Sequence, residues 1–170
     1  MPTENENRYQ LTPTLPSDVD WVVQLEYHKD NIKFVEPNTY EEHHALLTDP
    51  DVEHLIISME GRNIGYAILS GMNNKNHSVE LRRLVIKEKG KGYGRSIVKL
   101  LMRYCFIEKR CHRLWLDVIQ GNDRALHIYL TEGFVVEGTL RECVLTDGMY
   151  KSLTVMSIMQ YEYIDLMEVE

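Results

Sequence analysis

Residues 84–96 of the 170-residue chain read Leu-Val-Ile-Lys-Glu-Lys-Gly-Lys-Gly-Tyr-Gly-Arg-Ser, and this stretch decides the fold. The apolar run over 79–87 predicts a strand, and the apolar residues that follow the glycines recur at helical spacing over about 95–109. Glycines allow backbone conformations that other residues avoid, and they let amide groups approach a ligand closely. A strand, a glycine turn and a helix N-terminus together predict a cradle for an anion.

The charge of the chain is divided unevenly along its length. The net charge is −7, but residues 82–113 hold eleven Lys and Arg against two acids, so this segment carries +9 and the remainder −16. A compact basic segment favours a small anionic ligand, whereas the acidic remainder would repel the long backbone of a nucleic acid. Two structural alternatives stay open: the turn is merely a basic connection, and half of the bases form a solvated helix face.

The glycine spacing also bears on which anion the turn would bind. It is not the GxGxxG of a dinucleotide-binding fold, and the GxxxxGK[ST] of a P-loop is absent. A nucleotide-binding module is therefore a poor interpretation.

Strand and helix patterns alternate along the rest of the chain. Strands are predicted over 9–12, 52–59, 64–69, 113–119, 134–137 and 153–159, the last paired with 144–145 across Asp147-Gly148. Helices are predicted from a cap at Ser17 to Tyr27, over 39–47, and from a cap at Asn122 to Leu130. Because the early strands lie in hairpins, the pattern indicates an α+β fold with one mixed, mostly antiparallel sheet flanked by helices. We expect one domain over 1–170, with an acidic tail over 161–170 that frays.

The motif Lys89-Gly90-Lys91-Gly92-Tyr93-Gly94 resembles the pyrophosphate loop of the GNAT N-acetyltransferases, Gln/Arg-x-x-Gly-x-Gly/Ala. Lys89 departs from that pattern at its first position but keeps a donor there. The family's second signature is matched by Asn122, Ala125, Tyr129 and Gly133-Phe134, in the right order and spacing. The two signatures together cover about 79–138 and are much more specific than either alone.

The resemblance implies a GNAT-like fold and direct transfer of acetyl from acetyl-CoA to a primary amine in a ternary complex. The acceptor would be a small amine, a polyamine or a protein N-terminus. The pantetheine arm would pair with the strand, and the pyrophosphate would lie on the amides of the glycine turn. The implied coenzyme-binding residues are Leu84, Val85, Ile86, Lys89, Gly90, Lys91, Gly92, Tyr93, Gly94, Arg95, Ser96 and Asn122. Whether Asn122 contacts the coenzyme or only caps its helix stays open.

Two residues are candidates for catalysis. Tyr129 follows Asn122 by two helical turns, so both lie on one helix face, and the resemblance implies that Tyr129 protonates the departing thiolate. The alternative is a core tyrosine whose hydroxyl has another partner. Glu80 lies on the strand before the glycine turn and is the candidate base; strict alternation would turn Glu80, Arg82, Leu84 and Ile86 to one face. The alternative for Glu80 is an ion pair with Arg82 or Arg83.

Other classes of protein are disfavoured by composition. The three cysteines contain no CxxC, which favours a reducing, cytoplasmic location, and the adjacent His43 and His44 do not have metal-ligand spacing, so we expect no metal. The first ten residues lack a signal-peptide pattern, and no apolar run approaches the ~20 residues of a membrane span.

The sequence leaves the acceptor and the activity less defined. We expect residues 27–50 to build the acceptor side, without a diagnostic motif, and exposed final strands make a homodimer plausible. The competing function is an acyl-CoA-binding sensor without catalysis.

Overall fold

The computed structural model describes residues 8–169, and its centre is one seven-stranded sheet. The strand order is β1-β2-β3-β4-β5-β7-β6, in which β4 and β5 are parallel and every other pair is antiparallel. The strands are β1 (Tyr9–Pro13), β2 (Val52–Met59), β3 (Arg62–Ser70), β4 (Ser78–Ile86), β5 (Arg113–Ile119), β6 (Val135–Thr146) and β7 (Met149–Met159). This confirms the predicted mixed, mostly antiparallel sheet. The expectation about a signal peptide falls largely on residues 1–7, outside the described range.

In the described part of the chain five α-helices flank the sheet: α1 (Val19–Tyr27), α2 (Tyr40–Thr48), α3 (Tyr93–Arg103), α4 (Asp123–Thr131) and α5 (Gln160–Val169). Ile97 and Leu101 of α3 pack into the larger core, on what we call the α3 face of the sheet. Val22 and Leu25 of α1 pack into a second core, on what we call the α1 face. Within residues 8–169, none of the helices is both long and apolar enough to cross a bilayer.

A bulge in β4 changes which side chains share a face. Ile68 of β3 pairs with Arg83 but the next residue, Leu69, pairs with Leu81, so Arg82 is an extra residue. Val79 and Leu81 belong to the larger core, and beyond the bulge Leu84 and Ile86 also contact it. The predicted alternation is therefore wrong: Glu80 faces the α1 side, opposite Leu84 and Ile86.

Several element boundaries differ from those predicted. Ser17 is not a helix cap, because residues Pro16–Asp18 form a 3-10 turn and Asp18 accepts the amide of Leu15 at 2.8 Å. The helix expected over 95–109 is α3 followed by a π-helical turn, Tyr104–Glu108. The segments 134–137 and 144–145 form one continuous but bulged strand, β6, because both pair with β7.

The acidic tail does not fray within the described range. It forms α5, in which Tyr163 is buried and stacks on Phe106 with ring centroids 5.1 Å apart. A Cβ on Gly133 would lie 2.6 Å from Leu166, which shows how closely α5 approaches the end of α4. The apolar side chains of α5, rather than its charges, decide its position.

Candidate active site

The sheet opens between β4 and β5. Their parallel ladder has three pairs, Ser78 with Arg113, Val79 with Leu114 and Glu80 with Trp115, and it ends there. β4 continues to Ile86 and β5 to Ile119, so the facing backbone edges have no strand partner along this gap. Unpaired backbone donors and acceptors favour an extended ligand that carries amide groups of its own. The predicted residues Leu84, Val85 and Ile86 line the gap.

The glycine turn lies at the open end of the gap and leads into α3. Gly90 and Gly92 have φ of 73° and 77°, a left-handed conformation that glycine adopts without strain. Gly92 is the N-cap of α3, and no side chain within residues 8–169 caps the helix. The helix therefore presents its N-terminal amides, with the positive end of its dipole, beside the exposed Lys91, an arrangement that favours an anion.

Three other residues of the turn contact the protein itself. The Lys89 Nζ donates to the carbonyl of Ile86 at 2.9 Å, and Arg95 forms an ion pair with Glu132 at the end of α4. A Cβ on Gly94 would lie 2.7 Å from the Ile128 side chain, so this glycine is required for α3 to pack against α4.

Tyr93, Ser96 and Asn122 complete the predicted binding set. The Tyr93 ring lies edge-on to Tyr9, with centroids 6.3 Å apart, and Ser96 is half-buried in the first turn of α3. The Asn122 side chain accepts the amide of Ala125 at 3.4 Å, which makes it the N-cap of α4.

The side chain of Tyr129, in α4, is the candidate acid. Its ring is buried on the α3 face, edge-on to Phe134 at 5.4 Å. The hydroxyl makes no hydrogen bond to any residue in 8–169, and its oxygen is not completely sealed from solvent. The alternative interpretation, a core tyrosine, required a hydrogen-bond partner for this hydroxyl, and residues 8–169 provide none. Burial, with a smaller contribution from Asp117, raises the pKa of Tyr129, so the hydroxyl keeps its proton at neutral pH.

Glu80 lies at the apex of the gap, half-buried on the α1 face. Neither Arg82 nor Arg83 forms an ion pair with it, because Arg82 is exposed at the bulge and Arg83 binds Glu26. Burial and then the charge of Asp117 raise the pKa of Glu80, against the opposing charge of Arg82. A carboxylate with a raised pKa and no fixed cation is suited to accept a proton.

Asp117 is a candidate that the sequence analysis missed. It follows Trp115, the partner of Glu80, by two residues in β5, while its neighbours Leu116 and Val118 point into the larger core. Asp117 therefore faces the α1 side together with Glu80. The signal was present in the sequence, as a single acid at an alternating position of an otherwise apolar strand.

A groove on the α1 face is formed by α2, the segment before it and Arg82, which lies two residues beyond Glu80 in β4. Its volume is about 220 Å³, and its lining residues are Asn38, Glu42, Ala45, Leu46, Asp49 and Arg82. Most of them belong to the region 27–50 that was predicted to build the acceptor side.

Comparisons with known proteins extend these observations. The profile of the Acetyltransferase (GNAT) family matches residues 21–134. The spermidine N(1)-acetyltransferase of Escherichia coli (strain K12) is 28% identical over 166 residues, covering 91% of this chain and 88% of that protein. The Vibrio cholerae spermidine N(1)-acetyltransferase is 32% identical over 106 residues, covering 62% of this chain and 61% of that protein.

Solved structures show the same likeness. Spermidine N-acetyltransferase from V. cholerae, crystallised with CoA and spermine, superposes with a TM-score of 0.84 at 25% identity and covers 93% of this chain and 99% of that chain. A dodecameric form of the V. cholerae enzyme has a TM-score of 0.80 at 24% identity, covering 94% of this chain and 98% of that one.

Proposed function

The chain belongs to the GNAT acetyltransferase family, and from that premise we propose how its residues transfer acetyl from acetyl-CoA to a primary amine. The activity itself, acetyl-CoA-dependent N-acetylation, follows from the family and its relatives. The observation that carries the mechanism is the parting of β4 and β5 beside the uncapped N-terminus of α3. The free edge of β4 offers hydrogen bonds to the amide groups of the pantetheine arm, and the N-terminus of α3 offers its backbone amides to the pyrophosphate.

The coenzyme would lie along this opening. Its pantetheine amides pair with the free edge of β4 over Leu84–Ile86, and its pyrophosphate lies on the amides of Lys91–Ser96. Lys91 contributes charge, whereas Lys89 and Arg95 act mainly through their contacts within the protein. Since the Asn122 side chain caps α4, we assign it to the start of that helix rather than to the coenzyme.

The acid and the base would approach the thioester from opposite faces of the sheet. Glu80, on the α1 face, takes a proton from the ammonium group of the acceptor, directly or through water. The neutral nitrogen attacks the thioester carbonyl carbon, and the tetrahedral intermediate collapses with cleavage of the C–S bond. Tyr129, on the α3 face, then donates its hydroxyl proton to the departing thiolate, water takes the extra proton that the nitrogen carries after the attack, and solvent returns a proton to the Tyr129 oxygen. Asp117 holds the ammonium group and, by its charge, keeps the pKa values of Glu80 and Tyr129 high.

We propose a polyamine-like cation as the acceptor. The E. coli relative is named for spermidine, and the V. cholerae structure holds spermine. In this chain Glu80 and Asp117 would receive the reacting amine, and Glu42 and Asp49 in the groove would receive a distal ammonium group. Arg82 lies in the same groove and disfavours a cation near it, so the distal group would lie towards α2. Other small amines and protein N-termini remain the competing acceptors.

The test is an acceptor screen coupled to a binding measurement. Thiol release from acetyl-CoA is followed with spermidine, spermine, putrescine, simple monoamines and a peptide with a free N-terminus, while calorimetry measures acetyl-CoA binding. Turnover highest with the polyamines supports the proposal, and turnover confined to the peptide would replace the acceptor. Binding of acetyl-CoA without turnover on any amine would favour the acyl-CoA sensor instead.

Assembly, organisation and location are part of the same proposal. We propose a homodimer formed at the β6 edge, where Val135, Val136 and Leu140 are exposed, and light scattering on the purified protein tests it.

Residues 1–170 are proposed to be a single domain built on the seven-stranded sheet. The buried free thiols Cys105 and Cys111 are consistent with a reducing, cytoplasmic location.

A further inference from the structure

A buried ion pair joins α1 to the strand that carries Glu80. Glu26 lies in the last turn of α1 with a fully buried side chain, and Arg83 of β4 donates its Nη1 to the Glu26 Oε1 at 2.6 Å. The Arg83 side chain is itself only 15% exposed. Removing a carboxylate from water is costly unless a cation and hydrogen bonds compensate for it. The contact between Glu26 and Arg83 is therefore a buried ion pair that the fold must maintain, unlike an exposed ion pair at the surface.

The remaining partners of Glu26 hold the carboxylate in one position. The Tyr66 hydroxyl donates to its Oε1, and the Nε2 of His43 lies 3.1 Å from its Oε2. Behind His43, its Nδ1 lies 3.1 Å from the Nε2 of His54, whose Nδ1 lies 2.8 Å from the Thr14 hydroxyl. Burial would raise the pKa of Glu26, but His43, Tyr66 and Arg83 together outweigh it and lower the pKa, so the carboxylate is ionised.

The same ion pair holds the connection between α1 and α2. Residues 28–39 contain turns and extended chain but no helix or strand. Within this connection the Glu36 carbonyl accepts from the Arg83 Nη2 at 2.8 Å, and the Asn38 amide donates to the Glu26 Oε2 at 2.9 Å. Each member of the ion pair therefore holds the backbone just before α2, the helix that carries Glu42 into the groove.

The bulge in β4 makes this contact possible. Under strict alternation Arg83 would lie on the opposite face from Glu80, but the extra residue Arg82 turns Arg83 to the α1 face. Arg83 thus lies on the face of Glu80, three positions further along the strand. The acceptor side and the candidate base are connected through one guanidinium group.

We propose that Arg83 is a positioning residue for the acceptor: through Glu26 and the Glu36 carbonyl it fixes residues 28–39, and with them the groove, relative to Glu80. The inference rests on the proposed function, since it assumes that the amine enters from the α1 face. Arg83 does not touch the reacting atoms in this account; it sets where the acceptor is held.

The variant Arg83→Lys tests the proposal. Lysine keeps a positive charge for Glu26 but lacks the forked donors that reach Glu26 and Glu36 together. We expect the KM for the amine to rise about tenfold, by loss of one charge-assisted hydrogen bond at the acceptor side, while the KM and Kd for acetyl-CoA stay within about twofold of the original values. Hydrogen exchange in a peptide spanning 28–40 should become faster. Arg8→Lys is the matched control, because Arg8 also pairs with a glutamate, Glu60 at 3.0 Å, outside the site.

A second variant changes Glu26, the other member of the ion pair. Glu26→Gln keeps the shape of the side chain but removes its charge, and it should change the amine KM and the exchange of 28–40 in the same direction as Arg83→Lys. An unchanged amine KM in Arg83→Lys, or an equal loss for amine and acetyl-CoA with a lowered Tm, would overturn the positioning role. Should the unaltered protein turn over no amine, the proposed function fails; the positioning inference fails separately when Arg83→Lys leaves exchange of 28–40 unchanged.

Discussion

Glu80 and Trp115 form the last pair of the parallel ladder between β4 and β5, and the two strands part immediately beyond them. A half-buried carboxylate is therefore fixed at the apex of the opening, where the position of its backbone is set by strand pairing on both sides. Tyr129 faces the same region from α4, on the other side of the sheet. The placement of these two side chains underlies the predictions about catalysis.

Replacing Glu80 by Gln tests the base. Because the amide cannot accept the proton of an ammonium group, we expect kcat/KM for the amine to fall about 10²–10⁴-fold, with the largest loss at low pH where less of the amine is neutral. Steady-state rates from pH 6 to 10 measure this. A variant whose pH–rate profile superposes on that of the unaltered enzyme would leave Glu80 with a structural role.

Replacing Asp117 by Asn tests the neighbouring charge. The charge of Asp117 contributes to the raised pKa of Glu80, so removing it should lower that pKa. The acidic limb of the kcat/KM profile, where Glu80 becomes protonated and inactive, should then shift to lower pH. The KM for the amine should rise, because one of the two carboxylates that face the ammonium group is lost. A shift to higher pH, or none, would remove Asp117 from the site.

Replacing Tyr129 by Phe tests the acid. The substitution keeps the contact with Phe134 and removes only the hydroxyl, so folding and acetyl-CoA affinity should be preserved. We expect kcat to fall by about 10²–10⁴-fold, since proton donation to the thiolate is lost. Turnover equal to that of the unaltered enzyme with its best acceptor would exclude Tyr129 from proton transfer.

The pair Gly92→Ala and Gly92→Asp tests the pyrophosphate cradle. Both variants place a side chain at a φ of 77° and share the strain of about 1–2 kcal/mol, and a Cβ there meets no atom within 4 Å. Only the aspartate adds negative charge, so its Kd for acetyl-CoA should rise at least about tenfold more than that of the alanine variant. Calorimetry measures both affinities. Equal affinities for the two variants would argue against a phosphate at this turn.

The buried His54, behind Glu26 and His43, makes the free energy of unfolding depend on pH. Burial, and then the charge of His43, lowers the pKa of His54 to about 4, against an ordinary value of 6.5. Between pH 7.5 and 5 the unfolded chain takes up a proton that the folded chain does not, so the free energy of unfolding should fall by about 2 kcal/mol from this residue alone. Glu26 contributes little in this window, because its lowered pKa costs stability only at still lower pH.

Urea unfolding at the two pH values measures this dependence. His54→Gln should flatten it, while His127→Gln, at an exposed position of α4, should not. An equal pH dependence in His54→Gln and the unaltered protein would contradict the assignment.

The local features of the fold could be predicted from the sequence, because neighbouring residues decide them. The glycine turn, the start of α3 and the strand over 113–119 depend on short-range geometry and on apolar periodicity. The prediction that the tail frays was wrong because it rested on the acidic charges of the tail. Tyr163 and Leu166 pack against the protein and hold the helix in place. Asp117 could have been found by alternation along β5, which pairs regularly with β7, whereas the same argument misplaced Glu80 because of the bulge in β4.

The features that the sequence did not reveal depend on contacts between distant segments. The bulge at Arg82 is set by the pairing of β4 with β3, which no pattern within β4 records. The contacts of Glu26 with His43 and Arg83 bring together α1, α2 and β4. In the sequence, none of these three polar residues lies in a pattern that indicates burial or contact with the other two. Sequence periodicity predicts which residues are buried, but it does not predict which buried polar groups meet.

The extra residue in β4 also constrains how this enzyme can diverge. Deleting Arg82 would restore regular pairing with β3 and would leave Val85 on the α1 face and Leu84 and Ile86 on the α3 face, because the bulge already absorbs the extra residue. A single insertion or deletion elsewhere in β4 has no such bulge to absorb it and would turn the side chains beyond it to the opposite layer, so the strand can lose a residue at Arg82 without repacking either core.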